Sequence, residues 1–167
     1  MPVFLLNAVI ETIKYIISGG RKNMQKIHVK ANRHWMNDPN GFIYYKGKYH
    51  LFYQCFPYEA RWGRMHWAHV VSDDLVNWEY QGIAVFPSKT DDRDGCFSGS
   101  AVEDEGKLYL YYTGVRYLVE NPEDINLFLD EQFVSAQMLI TSEDGYHFDN
   151  IKDKKTIIPV FNKSLLF

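Results

Sequence analysis

The chain has 167 residues, of which 46% are hydrophobic and 23% are charged, so it is long enough for one globular domain and too apolar to be disordered. The net charge of −3 and the pI near 6.0 argue against a nucleic-acid partner, since such partners select a basic surface. The two cysteines, Cys55 and Cys96, have neither metal-ligand spacing nor a CxxC motif, which favours free thiols and a cytoplasmic location.

The N-terminal segment 1–23 predicts an amphipathic helix that precedes the main domain, 24–167. Leu6, Ile10 and Ile17 recur at helical spacing, and a pair of glycines would end the helix. The segment lacks a basic start and a small-residue cleavage site, so we expect no signal peptide, and it is too short and too polar to span a membrane. Met24 is an alternative start, in which case the helix would not belong to the protein.

Beyond residue 33 the helical period disappears, and short alternating runs bounded by Gly, Asn, Asp and Pro predict an all-β fold. Strands are predicted at residues 41–45, 48–54, 65–71, 78–86, 98–104, 107–113 and 134–140. Lys46-Gly47 and Glu105-Gly106 would form two hairpin turns. The aromatic content of 16% suits such strands, because aromatic rings pack well on a pleated surface.

The order of these elements occurs twice, which predicts a repeat architecture. Ser72 and Ser142 each begin a run of one serine, two acidic residues, three variable residues and one aromatic residue. The two serines lie further apart than the turn glycines Gly47 and Gly106, so the second unit contains an insertion, which we place at 115–132. Four short strands per unit, repeated about every 60 residues, are typical of a β-propeller blade.

The segment 34–41 (HWMNDPNG) has two interpretations on its residues alone. Its last four residues fit a type I turn, which favours Asp at its first position, Pro at its second and Gly at its fourth. A turn does not explain the Trp, Met and Asn that precede Asp38, so the aspartate either shapes a loop or performs chemistry. His66 and His69, further along, would lie on opposite faces of a strand and are not a metal pair.

Five motifs, in the same order, resemble those of glycoside hydrolase family 32, which contains invertases, sucrose-6-phosphate hydrolases, levanases and inulinases. They lie at residues 34–42, 52–57, 62–78, 95–102 and 111–114, and the resemblance extends from about 28 to 158. It implies a five-bladed β-propeller with an active site in its central funnel, of which this chain would contain the first two blades. It also implies a fructosyl-containing sugar as the partner, no nucleic acid, no membrane, no metal and no cofactor, and it leaves the oligomeric state open.

The resemblance implies that Asp38 attacks the anomeric carbon of a fructosyl unit and forms a covalent intermediate, with overall retention. A carboxylate suits this role because the transition state is oxocarbenium-like and positive. The resemblance further implies a set of substrate-binding residues: Asn37, Asn40, Gln54, Trp62, Phe97 and Ser98. Alternative roles stay open, since the asparagines would also suit loop bracing, the glutamine a backbone bond and the serine a turn.

Two acidic motifs that the resemblance calls for do not occur in the 167 residues. One is an Arg-Asp-Pro that grips fructose hydroxyls, and the other is a Glu-Cys whose glutamate is the general acid/base. Arg93-Asp94-Gly95 stands in the wrong place for the first. General acid–base catalysis typically raises a reaction rate about 10²–10⁴-fold. Because the residue that would supply it is missing, we expect a truncated fragment without activity of its own.

Two other functions remain compatible with the residues. The first alternative is a propeller fragment that binds fructosyl sugars without cleaving them. The second is a related five-bladed glycosidase that cleaves arabinan by inversion, with the early aspartate as general base.

Overall fold

Residues 28–160, which the computed structural model describes, form two four-stranded antiparallel sheets whose strands follow chain order. The first sheet contains β1 (Trp35–Tyr45), β2 (Lys48–Phe56), β3 (His66–Ser72) and β4 (Glu79–Val85), and the second contains β5 (Gly95–Asp104), β6 (Lys107–Tyr117), β7 (Phe133–Ser142) and β8 (Lys155–Ile158). The predicted all-β fold with two similar units is therefore confirmed. The helix predicted at 1–23 and the alternative start at Met24 lie outside the described residues.

Both predicted hairpin turns are present and have the same backbone conformation. Lys46 and Gly47 have φ values of 46° and 87°, and Glu105 and Gly106 have φ values of 48° and 78°. Positive φ at both central residues defines the type I′ turn, whose twist matches that of the flanking strands. The glycine at the second position adopts this conformation without a steric penalty.

The serine–acid runs that suggested a repeat are equivalent turns in the two sheets. In each turn the serine hydroxyl accepts a hydrogen bond from the backbone N–H three residues later, at 2.8 Å for Ser72 and 2.9 Å for Ser142. Asp74 and Asp144 then accept from the N–H groups three residues beyond them, at 2.7 Å and 2.8 Å. The repeated sequence therefore encodes a repeated local structure.

The main core lies between the two sheets. Phe52 and Trp67 of the first sheet pack with Tyr112, Leu110 and Met138 of the second, and all five are at most 1% exposed. A smaller cluster covers the opposite face of the first sheet and contains buried Tyr53, Cys55, Ala68 and Val70, with Trp78 packed at its margin. Both cysteines are buried and free, as predicted.

A buried ion pair fixes the connection between the sheets. Lys154 Nζ lies 2.5 Å from Asp92 Oδ2, and both side chains are fully buried. Asp92 also accepts from the Tyr112 hydroxyl at 2.7 Å and from the backbone N–H of Ser88 at 2.9 Å. Lys154 donates in addition to the carbonyl of Phe86, just after β4. One carboxylate and one ammonium group thus tie the linker to both sheets.

Two sequence predictions need correction. The tetrapeptide from Asp38 to Gly41 does not form a type I turn but lies within β1, because pairing with β2 continues across it through two register shifts. Pro39 is tolerated there since β1 is an edge strand with bulges. The predicted insertion at 115–132 is shorter, because β6 continues to Tyr117 and pairs there with Phe133.

His66 and His69 do not form a metal site. The His66 ring faces Tyr58, and the His69 ring stacks on His50 with centroids 5.1 Å apart. Within the described range, 28–160, no group of three His, Cys, Asp or Glu side chains could hold a metal ion. In that same range, no helix is long and apolar enough to cross a membrane.

Candidate active site

The two sheets meet at a carboxylate and a hydroxyl. Asp38 lies in the first bulge of β1, between Met36 and Pro39, and is exposed, and Ser98 lies at the single bulge of β5. The Ser98 hydroxyl donates to Asp38 Oδ2 at 2.8 Å. A bulge re-aims a side chain out of the regular alternation of a strand. The paired irregularities therefore present both groups at the same place.

Asn40 connects the bulge of β1 that contains Asp38 with the bulge of β5. Its Oδ1 accepts from the backbone N–H of Gly99 at 2.9 Å, and its Nδ2 donates to the carbonyl of Asp38 at 3.0 Å. The residue is 4% exposed, so these bonds replace those that water would otherwise make. This geometry gives Asn40 a bracing role at the base of the site. A contact between Asn40 and sugar stays a prediction.

A chain of amide and indole groups lies next to Asp38. Asn37 Nδ2 donates to Gln54 Oε1, and Trp35 Nε1 donates to Asn37 Oδ1 at 3.1 Å. Gln54 comes from β2 and is 3% exposed. The interaction fixes the orientation of both amides, which is the preorganisation that sugar hydroxyls need.

An aromatic wall borders these polar groups. The rings of Trp62 and Phe97 meet edge to face, with centroids 5.8 Å apart and planes at 83°. The backbone of Phe97 is held by a hydrogen bond in which its carbonyl oxygen accepts from Trp67 Nε1 at 3.2 Å. Aromatic faces of this kind pack against the apolar face of a sugar ring. The predicted pair Trp62 and Phe97 is thus brought together.

Sequence reasoning missed that the insertion reaches this wall. Phe128 packs edge to face on Trp62 with centroids 5.6 Å apart, and Asp124 forms an ion pair with Arg61. The segment 118–132 therefore borders the site rather than covering a remote edge. The signals that could have found it are the apolar run around Phe128 within the segment and an acid that complements Arg61.

All seven predicted site residues thus form one continuous patch along β1, β2 and β5 and the loop before β3. The described residues offer an exposed carboxylate fixed by a hydroxyl, neighbouring amides and an aromatic wall. Such a set can hold a sugar ring and place a nucleophile or a general base against it.

Comparisons with known proteins show which family the chain resembles. The profile of the glycosyl hydrolases family 32 N-terminal domain matches residues 28–164. Sucrose-6-phosphate hydrolase of Escherichia coli is 45% identical over 122 residues, which are 73% of this chain and 24% of that protein. Levanase of Bacillus subtilis (strain 168) is 51% identical over 87 residues, which are 52% of this chain and 12% of that protein. The chain spans about a quarter or less of the length of these relatives.

Solved structures show the same fold. A mutant β-fructofuranosidase of Bombyx mori in complex with sucrose superposes with a TM-score of 0.64 and 38% identity, over 87% of this chain and 30% of that one. A family 32 glycoside hydrolase of Bifidobacterium adolescentis gives a TM-score of 0.67 and 31% identity, over 86% of this chain and 23% of that one. The family profile covers most of the chain, and the resemblance seen in the motifs is confirmed: the protein belongs to glycoside hydrolase family 32.

Proposed function

We propose that this chain carries the nucleophile-bearing part of a retaining β-fructofuranosidase that acts on sucrose, sucrose 6-phosphate or a fructan. The observation that carries the proposal is the bond between Ser98 and Asp38, which joins the bulged first strands of the two sheets. Ser98 occupies Oδ2 of the carboxylate. Asp38 Oδ1 is therefore the oxygen available to attack a bound sugar.

The reaction follows from a carboxylate placed against the anomeric carbon of a fructosyl unit. Asp38 Oδ1 forms a bond to that carbon while the bond to the leaving oxygen breaks, and a general acid supplies the proton that the leaving oxygen takes up. Water then attacks the same carbon, loses a proton to the same group acting as base, and releases the carboxylate. Two displacements at one carbon give net retention.

The neighbouring residues suit the recognition of a fructosyl ring. Asn37 and Gln54 present fixed amide groups for ring hydroxyls, and Trp62 and Phe97 offer an apolar wall. Family 32 membership supports this class over the arabinan-cleaving alternative.

The general acid/base comes from outside this sequence in our proposal. The 167 residues contain neither an Arg-Asp-Pro nor a Glu-Cys motif, which the family resemblance calls for. We propose that the two sheets are two blades of a five-bladed propeller and that later blades supply both acids. The chain alone would then bind and attack a sugar but would not protonate an ordinary alkoxide.

An activated substrate tests the nucleophile without the missing acid. A β-fructofuranosyl fluoride needs no protonation of its leaving group, so Asp38 should form a covalent adduct with it. Because no general base then activates water, the adduct should persist long enough for mass spectrometry. We expect one fructosyl group on the peptide that contains Asp38 and none in Asp38→Asn.

Asp104→Asn is the matched control, since Asp104 is also an exposed strand aspartate but lies at the far hairpin. It should label as the unmodified chain does. Sugar binding without any adduct would contradict the proposed chemistry and favour the non-catalytic alternative. An adduct on a different carboxylate would contradict the role of Asp38.

A further inference from the structure

A cavity lies beside the outer strands of the first sheet. Its volume is about 580 Å³, which falls in the range of small-molecule sites. None of the residues assigned above to the fructosyl site lines it. Its lining residues come from the end of β2, from β3 and β4, and from the connections that follow β2, β4 and β6. The residues that decide its chemistry are Tyr58, Arg64, His66, Ile83, Phe86 and Arg93.

Two guanidinium groups give the cavity a positive charge. Arg64 Nη2 lies 3.0 Å from Asp94 Oδ1, and Arg93 Nε lies 3.2 Å from Asp94 Oδ2. Asp94 is 4% exposed and also accepts from the backbone N–H of Tyr117 at 2.8 Å. Both carboxylate oxygens of Asp94 therefore already have partners, which are the two arginines and the backbone N–H of Tyr117. Two cations share one buried carboxylate, and the surplus positive charge faces the cavity.

Arg64 is fixed in place before any ligand arrives. Its guanidinium carbon lies 6.0 Å from the centroid of the Tyr117 ring, and its Nε is buried without a hydrogen-bond partner among residues 28–160. Cation–π contact and the Asp94 bond together restrict its rotamers. The Arg64 side chain is about one-third exposed, so part of this oriented guanidinium is accessible, and its planar fork matches the geometry of a phosphate group.

His66 adds an acceptor rather than another cation. Its Nδ1 lies 2.9 Å from the carbonyl oxygen of Arg64, which can only accept, so Nδ1 carries the proton. Burial lowers the pKa of His66, which keeps the ring neutral and leaves Nε2 as an acceptor. That atom lies 3.5 Å from the Tyr58 hydroxyl, too far for a good bond. A hydroxyl group of a ligand would supply a well-formed hydrogen bond to Nε2.

We propose that this cavity binds a phosphorylated monosaccharide. The arginine pair would hold the phosphate, His66 Nε2 would accept from a sugar hydroxyl, and Ile83 and Phe86 would pack against the ring. The three kinds of contact select together for a molecule that is anionic, hydroxylated and ring-shaped. This proposal is independent of the chemistry assigned to Asp38.

Calorimetric titration of the full chain with glucose 6-phosphate tests it, with glucose and inorganic phosphate as partial ligands. We expect glucose 6-phosphate to bind more tightly than either. Arg93→Gln should weaken that binding about 10- to 100-fold, the usual loss for a charge-assisted bond. The Arg93 side chain is 57% exposed, so the variant should fold, which a thermal unfolding curve checks. Arg93→Lys, which keeps the charge but loses the fork, should show an intermediate loss.

Lys155→Gln is the charge-matched control, because Lys155 is exposed on β8 of the second sheet and does not line the cavity. It should bind glucose 6-phosphate as the unmodified chain does. Asp38→Asn should bind it equally well, which separates this site from the fructosyl site. Absence of binding, equal affinity for inorganic phosphate, or an unchanged affinity in a folded Arg93→Gln would each overturn the proposal.

Discussion

The two sheets share one strand plan but differ in how their faces are covered. In the first sheet, all seven residues of β3 are buried, because the main core covers one face and the smaller cluster covers the other. In the second sheet, β7 alternates between buried and partly exposed residues from Ala136 onward. The two sheets therefore share one strand order, but the fraction of each sheet that is buried depends on what packs against its faces.

The first strands differ in a second way. β1 has two register shifts and β5 has one, and the candidate site lies where these irregularities meet. The pairings of β2 with β3 and of β6 with β7 have no register shift, and these four strands supply most of the core. The candidate site thus lies at the bulges of the two first strands, and the core lies mainly on the strands beside them.

Removal of the ion pair between the sheets should have the largest effect on stability. Lys154→Met leaves Asp92 as an uncompensated charge that is fully buried, which typically costs about 3–5 kcal/mol. Lys107→Met breaks an exposed pair with Glu143, which water screens, and should cost much less. Urea unfolding of both variants measures the difference. Equal losses would show that Asp92 does not depend on Lys154.

Local features of this fold could be predicted from the sequence, because their causes lie within a few residues. The I′ turns need a glycine at a position of positive φ, and the serine–acid turns need side chains that bond the next backbone N–H groups. The pair Asp92 and Lys154 could not be predicted, since its partners are far apart in the chain and belong to no common motif.

The site was predictable in its residues and not in its local geometry. The motif resemblance identified Asp38 and Ser98, and the structure brings them into contact. The turn predicted at Asp38 was wrong because its residues favour a turn locally, while pairing with β2 holds them in a bulged strand. The contact of Phe128 with Trp62 depends on the path of a long connection, which residue patterns do not encode.

The close packing of β5 against β6 at Gly99 should be the next most sensitive feature. A Cβ on Gly99 would lie 1.9 Å from the carbonyl oxygen of Tyr111, so the backbone of β5 must move. That shift also disturbs the bond from Gly99 N–H to Asn40. We expect Gly99→Ala to lower the free energy of unfolding by about 3 kcal/mol, as measured in urea.

Gly47→Ala separates the clash from backbone strain. Gly47 has a positive φ, but no atom lies within 4 Å of the added Cβ, so only the conformational cost of about 1 kcal/mol applies. If Gly99→Ala cost no more than Gly47→Ala, the close packing of β5 against β6 would not limit this position.

The first sheet should also respond to pH through a pair of buried histidines. His50 Nδ1 and His69 Nε2 lie 3.0 Å apart, and burial lowers the pKa of both rings, that of His69 to about 3. Below the unfolded value of about 6.5, the unfolded chain takes up protons that the folded chain does not. Stability should therefore fall from pH 6.5 to pH 5.

His69→Phe tests the source of this dependence. The variant removes one of the titrating groups, so the slope of stability against pH should become shallower by up to about 1.4 kcal/mol per pH unit. Urea midpoints at half-unit steps give the slope, whatever the variant does to stability itself. The interval from pH 6.5 to pH 5 lies above the range in which carboxyl groups of the unfolded chain titrate. An unchanged slope would show that His69 does not carry the dependence.

The smallest expected effect on stability comes from loss of the hydrogen bond between Ser98 and Asp38, which links the two sheets at the candidate site. Ser98 and Asp38 are both exposed, so Ser98→Ala should change the free energy of unfolding by less than about 0.5 kcal/mol. The hydroxyl nevertheless holds the carboxylate in one orientation, and loss of a positioned reacting group slows a reaction even where stability is unchanged. Labelling by the fructosyl fluoride should therefore slow by about tenfold or more.

Ser100→Ala is the control for this comparison, since Ser100 is an exposed serine two residues along the same strand. It should label at the rate of the unmodified chain. A slower reaction in Ser98→Ala with unchanged stability would show that the second sheet acts on the nucleophile of the first through one oriented bond. Equal rates in both variants would mean that the Ser98 hydroxyl does not position Asp38, and that the second sheet contributes Phe97 and the Gly99 bond to Asn40 instead.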